Sequence, residues 1–417
     1  MDVMRETLLP RDEQDVADAV ATAFARHQTL EVVGAGSKRA FGRATAADAV
    51  LDVSALTGVT LYEPEELVLS ARCGTPVREI EDLLAARGQM LAFEPMDLGP
   101  VLGGAPRAGT LGGLFAVNIA GPRRISAGGV RDHALGLRAV SGRGELFKAG
   151  GRVVKNVTGY DLPRLFAGAF GTLGVATEIT LKVLPRPETE CTLLVPHLSP
   201  HRAAEAMSAA MGSPCEVSGA AFAPAGVAGR MPGLDARDTV ALRLEGVAPS
   251  VQARRDLLLR VLAPFGGAEI LDADASAALW RSVRDAAPFA AQDTGGDTGA
   301  FTGAFIGALW RLSTAPTAGP PLAARLADTL GAETYCDWAG GLIWLALPDA
   351  DAAADQVRAA LAPHGGHATL VRATAAERAR VAVFQPLDGA LAALTERVKA
   401  SFDPAGVLNP GRMQRTL

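Results

Sequence analysis

The nonapeptide Gly34-Ala35-Gly36-Ser37-Lys38-Arg39-Ala40-Phe41-Gly42 directly follows the apolar run Leu30-Glu31-Val32-Val33. Consecutive backbone N–H groups in a loop poor in bulky side chains can line an anion such as a pyrophosphate, and Lys38 and Arg39 would add positive charge. The loop is not a dinucleotide fingerprint. Arg39 stands where G-x-G-x-x-G needs its third glycine, and no helix with an apolar stripe follows to lend its dipole. Nor is it a P-loop, because G-K-[ST] is missing. Taken alone, a plain turn between strands also explains it.

A second stretch is harder to read as a turn. Nine glycines fall within the 31 residues from Gly99 to Gly129. Glycine clusters occur where backbone must approach another surface closely or adopt positive φ. Gly103-Gly104, Gly109-Thr110-Leu111-Gly112-Gly113 and Asn118-Ile119-Ala120-Gly121 suit a backbone wrapped around a flat ring system. The interleaved Leu111, Leu114, Phe115, Val117 and Ile119 speak against a linker, which has no core residues.

Other reactive side chains have plainer readings. Cys73, Cys191, Cys215 and Cys336 are far apart, and an iron–sulfur cluster needs grouped thiolates. His364-Gly365-Gly366-His367 follows Pro363 with no neighbouring carboxylate, so it reads as a solvated loop rather than a metal site. His133 beside Asp132 reads as a hydrogen-bonded structural pair. Trp280, Trp310, Trp338 and Trp344 read as core. Arg281 and Arg311 suit a carboxylate bidentately, or equally a surface salt bridge. Proton abstraction needs a positioned base, and no side chain stands out as one.

The elements that position these residues follow from periodicity. Asp12 to His27 has apolar residues at helical spacing, Leu30 to Val33 and Val50 to Val53 read as strands, and another lies near Leu67 to Ala71. Arg78 to Arg87 reads as a helix ending at Gly88. The opening is therefore α+β rather than a run of βαβ units. Strands follow at Leu135 to Val140, Arg152 to Asp161 (with a loop) and Val175 to Leu184, with a short helix from Leu162 to Phe166. Pro185-Arg186-Pro187 ends this unit, since X-Pro pairs favour extended linkers. Beyond it strands alternate with Ala-rich helices, and the rhythm of Thr192 to Leu271 returns from Ala308 to Val371. That is the pattern of an antiparallel, ferredoxin-like α+β layer, such as a duplication would produce. The expected division is 1–187, 188–386 and 387–417, the last a helix and tail.

Composition bounds the class. At ~150 residues per domain, 417 residues imply two to three domains. Hydrophobic residues make up 49% and charged residues 20%, which excludes wholesale disorder. A net charge of −5 argues against nucleic-acid binding, which needs a basic face. Met1 to Val16 lacks the pattern of a signal peptide, and no uncharged apolar run reaches the ~20 residues of a membrane span. A cytoplasmic protein is expected, without membrane insertion, reaching the inner face of the membrane only through partners.

These motifs, in this order, resemble the FAD domain of the vanillyl-alcohol-oxidase/PCMH flavoproteins. The residues that carry the resemblance are Thr110-Leu111-Gly112-Gly113 with Asn118 and Gly121, Arg131 to Gly136, Lys155-Asn156-Val157-Thr158-Gly159-Tyr160-Asp161-Leu162, Gly171-Thr172-Leu173-Gly174-Val175, and the ending Phe402-Asp403-Pro404 through Asn409-Pro410-Gly411-Arg412. Leu279-Trp280-Arg281, Leu309 to Leu312 and Asp337 to Trp344 are further similar to the FAD-binding subunits of bacterial glycolate oxidases. The stretch Ala286 to Gly307 looks like an insertion.

The resemblance implies a PCMH-type FAD domain with an α+β cap. It places Gly34, Ala35, Gly36, Ser37 and Lys38 on the FAD pyrophosphate. Gly109, Thr110, Leu111, Gly112, Gly113 and Asn118 would lie along the isoalloxazine and ribityl. Gly171, Thr172, Gly174, Val175 and the strand entering Ile179 would hold the adenosine side. Lys155 or Arg412 would offset charge near flavin N1. The covalent members carry a loop His, sometimes with a Cys in the glycine-rich stretch. Neither is here, so noncovalent FAD is expected. The implied partners are a larger FAD subunit, an iron–sulfur subunit and a small 2-hydroxy acid. The histidine-rich metal site of larger relatives is missing from this sequence, so no metal ligands are assigned.

Overall fold

The computed structural model describes residues 5–152, 159–290 and 307–414. Its N-terminal part holds two sheets. Strands Glu6–Leu8, Ala49–Asp52 and Leu30–Val33 form a parallel sheet in that spatial order. The helix Glu13–Arg26 provides the crossover from the first strand to Leu30–Val33. Asp12 caps it by accepting from the N–H groups of Gln14 and Asp15, and His27 ends it at φ 54°. Val16, Ala17, Val20 and Ala23 form its buried stripe.

The opening thus holds one parallel unit with a crossover helix, not a run of them, within the expected α+β arrangement. Glu6–Leu8 is only three residues long and largely exposed, so it carries no alternation to read. A correction falls near residue 150. The strand after Ala134–Ser141 is Leu146–Gly150, a hairpin partner across Gly142 to Glu145. Part of the strand expected at 152–161 lies outside the described residues.

The second sheet is antiparallel, in the order Val59–Glu63, Val68–Arg72, Gly174–Lys182, Ala134–Ser141, Leu146–Gly150. The helix Leu111–Val117 packs beside it, and Leu111, Leu114 and Phe115 enter its core with Leu69, Ile179 and Leu181.

Residues beyond Pro187 build one eight-stranded antiparallel sheet. Thr189–Pro196, Gly219–Ala223, Thr239–Gly246 and Glu269–Leu271 lie in the order 4-1-3-2 of a βαββαβ unit. Leu309–Ser313, Glu333–Asp337, Leu342–Ala346 and His367–Arg372 repeat that order, and the two units join where Phe222 faces Cys336. The duplication expected from the rhythm is therefore present in the topology. Helices Pro200–Met211, Ala248–Leu262, Gly319–Leu330 and Ala354–Leu361 cover one face, where Met207, Leu258 and Leu322 pack on Leu193, Leu242 and Trp310. The other face presents Leu194, Ala241, Leu309 and Trp344 to Phe41, Met96, Val101 and Ile119 of the N-terminal part. A sheet apolar on both faces must be covered twice, which fixes the second layer against the first.

The chain then returns. After the helix Gly389–Phe402, Leu30 donates to the carbonyl of Val407 (2.7 Å), and Asn409 donates to that of Leu30 (2.9 Å). Buried Lys399 holds this turn. Its Nζ lies 2.6 Å from Asp403 Oδ2, 2.6 Å from the Thr172 carbonyl and 3.1 Å from that of Leu408. Three ammonium hydrogens meet three acceptors, and Asp403 also accepts from the N–H groups of Val407 and Leu408.

Candidate functional site

The loop after Leu30–Val33 is shaped by two short bonds: Arg39 N–H to the Gly36 carbonyl (3.1 Å) and Phe41 N–H to that of Lys38 (3.0 Å). Gly36 sits at φ 71°, a conformation that only glycine adopts without strain. Among the described residues, the N–H groups of Gly34, Ala35, Gly36, Ser37 and Lys38 donate to no protein acceptor. Five consecutive free donors are the make-up of an anion nest.

The charges of this loop separate. Arg39 turns back to Glu31, with Nε 3.0 Å and Nη2 2.5 Å from its carboxylate oxygens, so its charge is already matched. Lys38 turns inward. Among the described residues its ammonium hydrogen-bonds only to Ser37 Oγ, at 3.3 Å, and burial brings it down to about 8, opposed by the charge of Asp97. A Cβ on Gly109 would stand 3.0 Å from Lys38 Nζ, and one on Gly34 only 2.6 Å from Thr110 Oγ1. The absence of side chains there lets loop and glycine-rich stretch meet.

Gly34, Ala35, Gly36, Ser37, Lys38, Thr110, Gly113 and Arg412 line one cavity of about 80 Å³. Gly112, Gly171, Gly174 and Val175 line an adjoining one of about 90 Å³, which shares Gly34, Thr110 and Gly113 with the first. Lys38 also forms the wall of a third cavity, of about 680 Å³, together with Gly109. The groove thus runs from between the two N-terminal sheets toward the eight-stranded sheet.

Four residues that the resemblance assigns to the cofactor line none of these cavities. Leu111 and Ile179 are wholly buried in the hydrophobic core. Thr172 donates its hydroxyl to the Ala169 carbonyl (2.7 Å) and lends its own carbonyl to Lys399. Asn118 ends the helix Leu111–Val117 in the left-handed conformation and accepts from the Arg131 N–H at 3.3 Å. Lys155 lies outside the described residues. His133 does not pair with Asp132: its ring nitrogens lie 2.9 Å and 3.2 Å from the carbonyls of Ala127 and Lys182, while Asp132 caps Gly129. His364 Nε2 lies 3.3 Å from an Arg325 nitrogen. The four tryptophans are buried.

Sequence reasoning missed Val32, Val33, Ala116 and Phe170 as wall residues, and Asn409 as a clamp. Asn409 Oδ1 accepts from the Val32 N–H and its Nδ2 donates to the Phe170 carbonyl, both at 2.8 Å. It joins the two sheets across the groove, and its φ of 47° is a value that asparagine tolerates better than most residues. Arg412 spans the same end, donating to the carbonyls of Lys38 (3.2 Å) and Arg43 (3.3 Å). Burial lowers it to about 10, so it stays charged at neutral pH.

Near the cavity of about 680 Å³, two arginines and two glutamates form a closed square. Arg243 lies 2.8 Å from Glu94 and 3.3 Å from Glu245, and Arg123 lies 3.3 Å from Glu94 and 2.5 Å from Glu245. Against the opposing effect of burial, Arg243 and Arg123 hold Glu245 down at about 2. The square ties the N-terminal part to the eight-stranded sheet.

The glycine cradle, the free N–H groups and the two inward cations suit a dinucleotide carrying a pyrophosphate, and the fold and groove together define a PCMH-type FAD-binding flavoprotein. The FAD binding domain family model matches residues 5–150. The solved structure of p-cresol methylhydroxylase with substrate bound superposes with a TM-score of 0.72 at 16% identity, covering 98% of this chain and 88% of that one. Alkyldihydroxyacetonephosphate synthase superposes at 0.65, covering 97% and 76%. Glycolate oxidase subunit GlcE of Escherichia coli (strain K12) is 35% identical over 405 residues, 97% of this chain and 98% of that protein. Subunit GlcD of Bacillus subtilis (strain 168) is 27% identical over 202 residues, 48% of this chain and 41% of its own length. The chain belongs to the GlcE family of glycolate oxidase subunits. Among the described residues no helix is long and apolar enough to cross a membrane.

Proposed function

We propose that this chain is an FAD-holding subunit of a glycolate oxidase complex that converts glycolate to glyoxylate and passes the electrons to an iron–sulfur partner, alongside a larger FAD subunit. The observation that carries this reading is the 35% identity to GlcE along 97% of the chain, on a fold whose groove has the donors for a pyrophosphate. Residues 1–187 with 387–417 form the flavin unit in this reading, and 188–386 the cap.

Gly34 to Lys38 hold the pyrophosphate through their N–H groups, with the Lys38 ammonium as counter-charge. Gly109 to Gly113 supply close-packed backbone along the groove, and Gly171, Gly174 and Val175 border its adenosine end. Arg412, fixed by the carbonyls of Lys38 and Arg43, brings positive charge to the same groove. FAD, when bound, supplies a two-electron acceptor for a substrate carbon losing hydride. Nothing in the loop offers a histidine for covalent attachment, so the cofactor is held noncovalently. The complex sits in the cytoplasm, or at the inner membrane face through its partners.

The chain alone is expected to bind FAD yet oxidise glycolate poorly, because no grouped cysteines provide an exit for electrons. Turnover with glycolate and an artificial acceptor, measured for the lone chain and for the reconstituted complex, tests this. Catalytically competent bleaching of the flavin by glycolate without partners would replace this reading with a self-sufficient oxidoreductase. A complex as active with an FAD-free subunit as with the loaded one would make this flavin structural.

A further inference from the structure

The cap sheet carries a cation whose position the cofactor groove does not explain. Arg311, in the strand Leu309–Ser313, stands opposite Trp344 and Thr369 on the face turned to the N-terminal part. Its guanidinium carbon lies 4.7 Å from the centre of the Trp338 ring. Arg124, from the glycine-rich stretch, approaches the same ring at 4.9 Å. Trp338 Nε1 donates to the Gly121 carbonyl at 3.0 Å, so this indole is the joint between cap and glycine-rich stretch.

Arg123, Arg243 and Arg284 sit on carboxylates, and Arg372, Arg378 and Arg412 on backbone carbonyls. Arg311 and Arg124 differ. Among the described residues neither makes an ion pair or hydrogen bond through its guanidinium, and Arg311 Nε is shut off from solvent without an acceptor. Thr314 Oγ1, three residues on, is also buried and unpaired. Among the described residues the carboxylate of Asp337, on the next strand but one, accepts only from the Trp338 N–H (2.7 Å) and is not within salt-bridge reach of Arg311. Burial, and then the like charge of Arg124, bring Arg311 down to about 10 against the opposing charge of Asp337, which leaves it cationic at neutral pH. Arg311 and the exposed Arg124 flank one indole, and among the described residues no carboxylate lies within ion-pair reach of either. A guanidinium shut off from water, as Arg311 is at Nε, costs free energy until an anion arrives.

We propose that Arg311 is the carboxylate anchor of the substrate site, at the Trp338 seam between cap and glycine-rich stretch, with Arg124 strengthening it through its charge. A guanidinium fork matches the two oxygens of a carboxylate, and a neighbouring aromatic face orients the fork. The Thr314 hydroxyl is a further donor on the same strand end. The anchor rests on the 2-hydroxy-acid reading above and deepens it.

The test uses the full-length, FAD-loaded chain, with calorimetry and flavin absorbance as readouts. Oxalate and glycolate are the carboxylate probes, ethylene glycol the neutral one, and inorganic phosphate the competing oxyanion. Arg311→Met should weaken oxalate binding about tenfold to a hundredfold, with flavin content and ethylene glycol binding unchanged. Arg311→Lys should recover part of the loss, because charge returns without the fork. Arg124→Ala, at an exposed position, should weaken oxalate a few-fold at low salt and hardly at all at high salt. Oxalate affinity within twofold of the parent in Arg311→Met overturns the anchor, and so does phosphate bound as tightly as oxalate. If Arg311→Met loses flavin or unfolds, the Lys and Arg124 variants decide, and an unchanged affinity in both overturns it. Arg311-dependent binding of oxalate but not of glycolate leaves the anchor standing and removes the glycolate reading. A parent protein that binds no carboxylate removes the anchor.

Discussion

Replacing Lys38 by methionine isolates the charge at the loop proposed to hold the pyrophosphate. The ammonium makes one weak hydrogen bond, 3.3 Å to Ser37 Oγ, so its removal strands no buried acceptor. The side chain is enclosed, and methionine fills a similar volume. Folding stability should therefore stay within ~1 kcal/mol of the parent or rise, since a buried charge is removed. FAD affinity should not stay. A charge-assisted hydrogen bond to a phosphate oxygen contributes about 1.5–3 kcal/mol, which corresponds to a Kd weakened about tenfold to 150-fold.

The pH profile sharpens this expectation. Burial sets Lys38 at about 8 in the free protein, and phosphate charge nearby would raise it in the complex. Binding then favours the protonated form. Parent affinity should be full below pH 8 and fall as pH rises through it, while Lys38→Met stays flat over the same window. FAD titrations of apo-protein at pH 6.5, about 8 and 9.5 read both effects, with urea midpoints as the control. A variant that binds FAD within twofold of the parent at pH 6.5, or that keeps the parent's pH profile, refutes the placement of Lys38.

Gly36→Glu should abolish FAD retention, because φ 71° strains any side chain and the new carboxylate would face the phosphates; flavin content after purification measures this. Acid precipitation should release all FAD to the supernatant, and flavin kept by the pellet would contradict noncovalent binding. Lys399→Met should cost about 3–5 kcal/mol in urea unfolding, since Asp403 remains buried without its cation, and should loosen the tail that brings Asn409 and Arg412 to the groove. Glu245 is held at about 2, below its unfolded value near 4.5, so its contribution to stability is complete above pH ~4.5 and lost as pH falls toward 2. Urea midpoints between pH 2.5 and 7 should show that loss, and Arg243→Met should flatten it.

The elements legible in the sequence were those with strong local signals. Helix Pro200–Met211 has Ser199 as its cap and Pro200 at its first turn, and its bounds follow from those residues. The strand Gly174–Lys182 carries Val175, Thr177, Ile179 and Thr180, and Thr239–Gly246 the apolar residues Val240, Ala241, Leu242 and Leu244. Glu6–Leu8, Val59–Glu63 and Glu333–Asp337 went unread. The first two are short and largely exposed, and the third is a five-residue strand buried between Leu342–Ala346 and the distant Gly219–Ala223. The 4-1-3-2 order in both cap units is a matter of strand pairing, on which local periodicity is silent.

The sequence by itself determined the nature of the site. Gly34 to Lys38 and the glycines from Gly109 to Gly113 can bring backbone N–H groups close to a ligand whatever surrounds them, because what matters there is the lack of a side chain. Tertiary structure alone decided which charges face the groove. Arg39 and Lys38 are neighbours in sequence, yet Glu31 neutralises one while burial leaves the other free and inward. Glu94 meets Arg243 across 149 residues of chain, and Arg311 finds no carboxylate among the described residues. A charge acts through the partners within a few ångströms of it, and those partners are set by how the sheets pack.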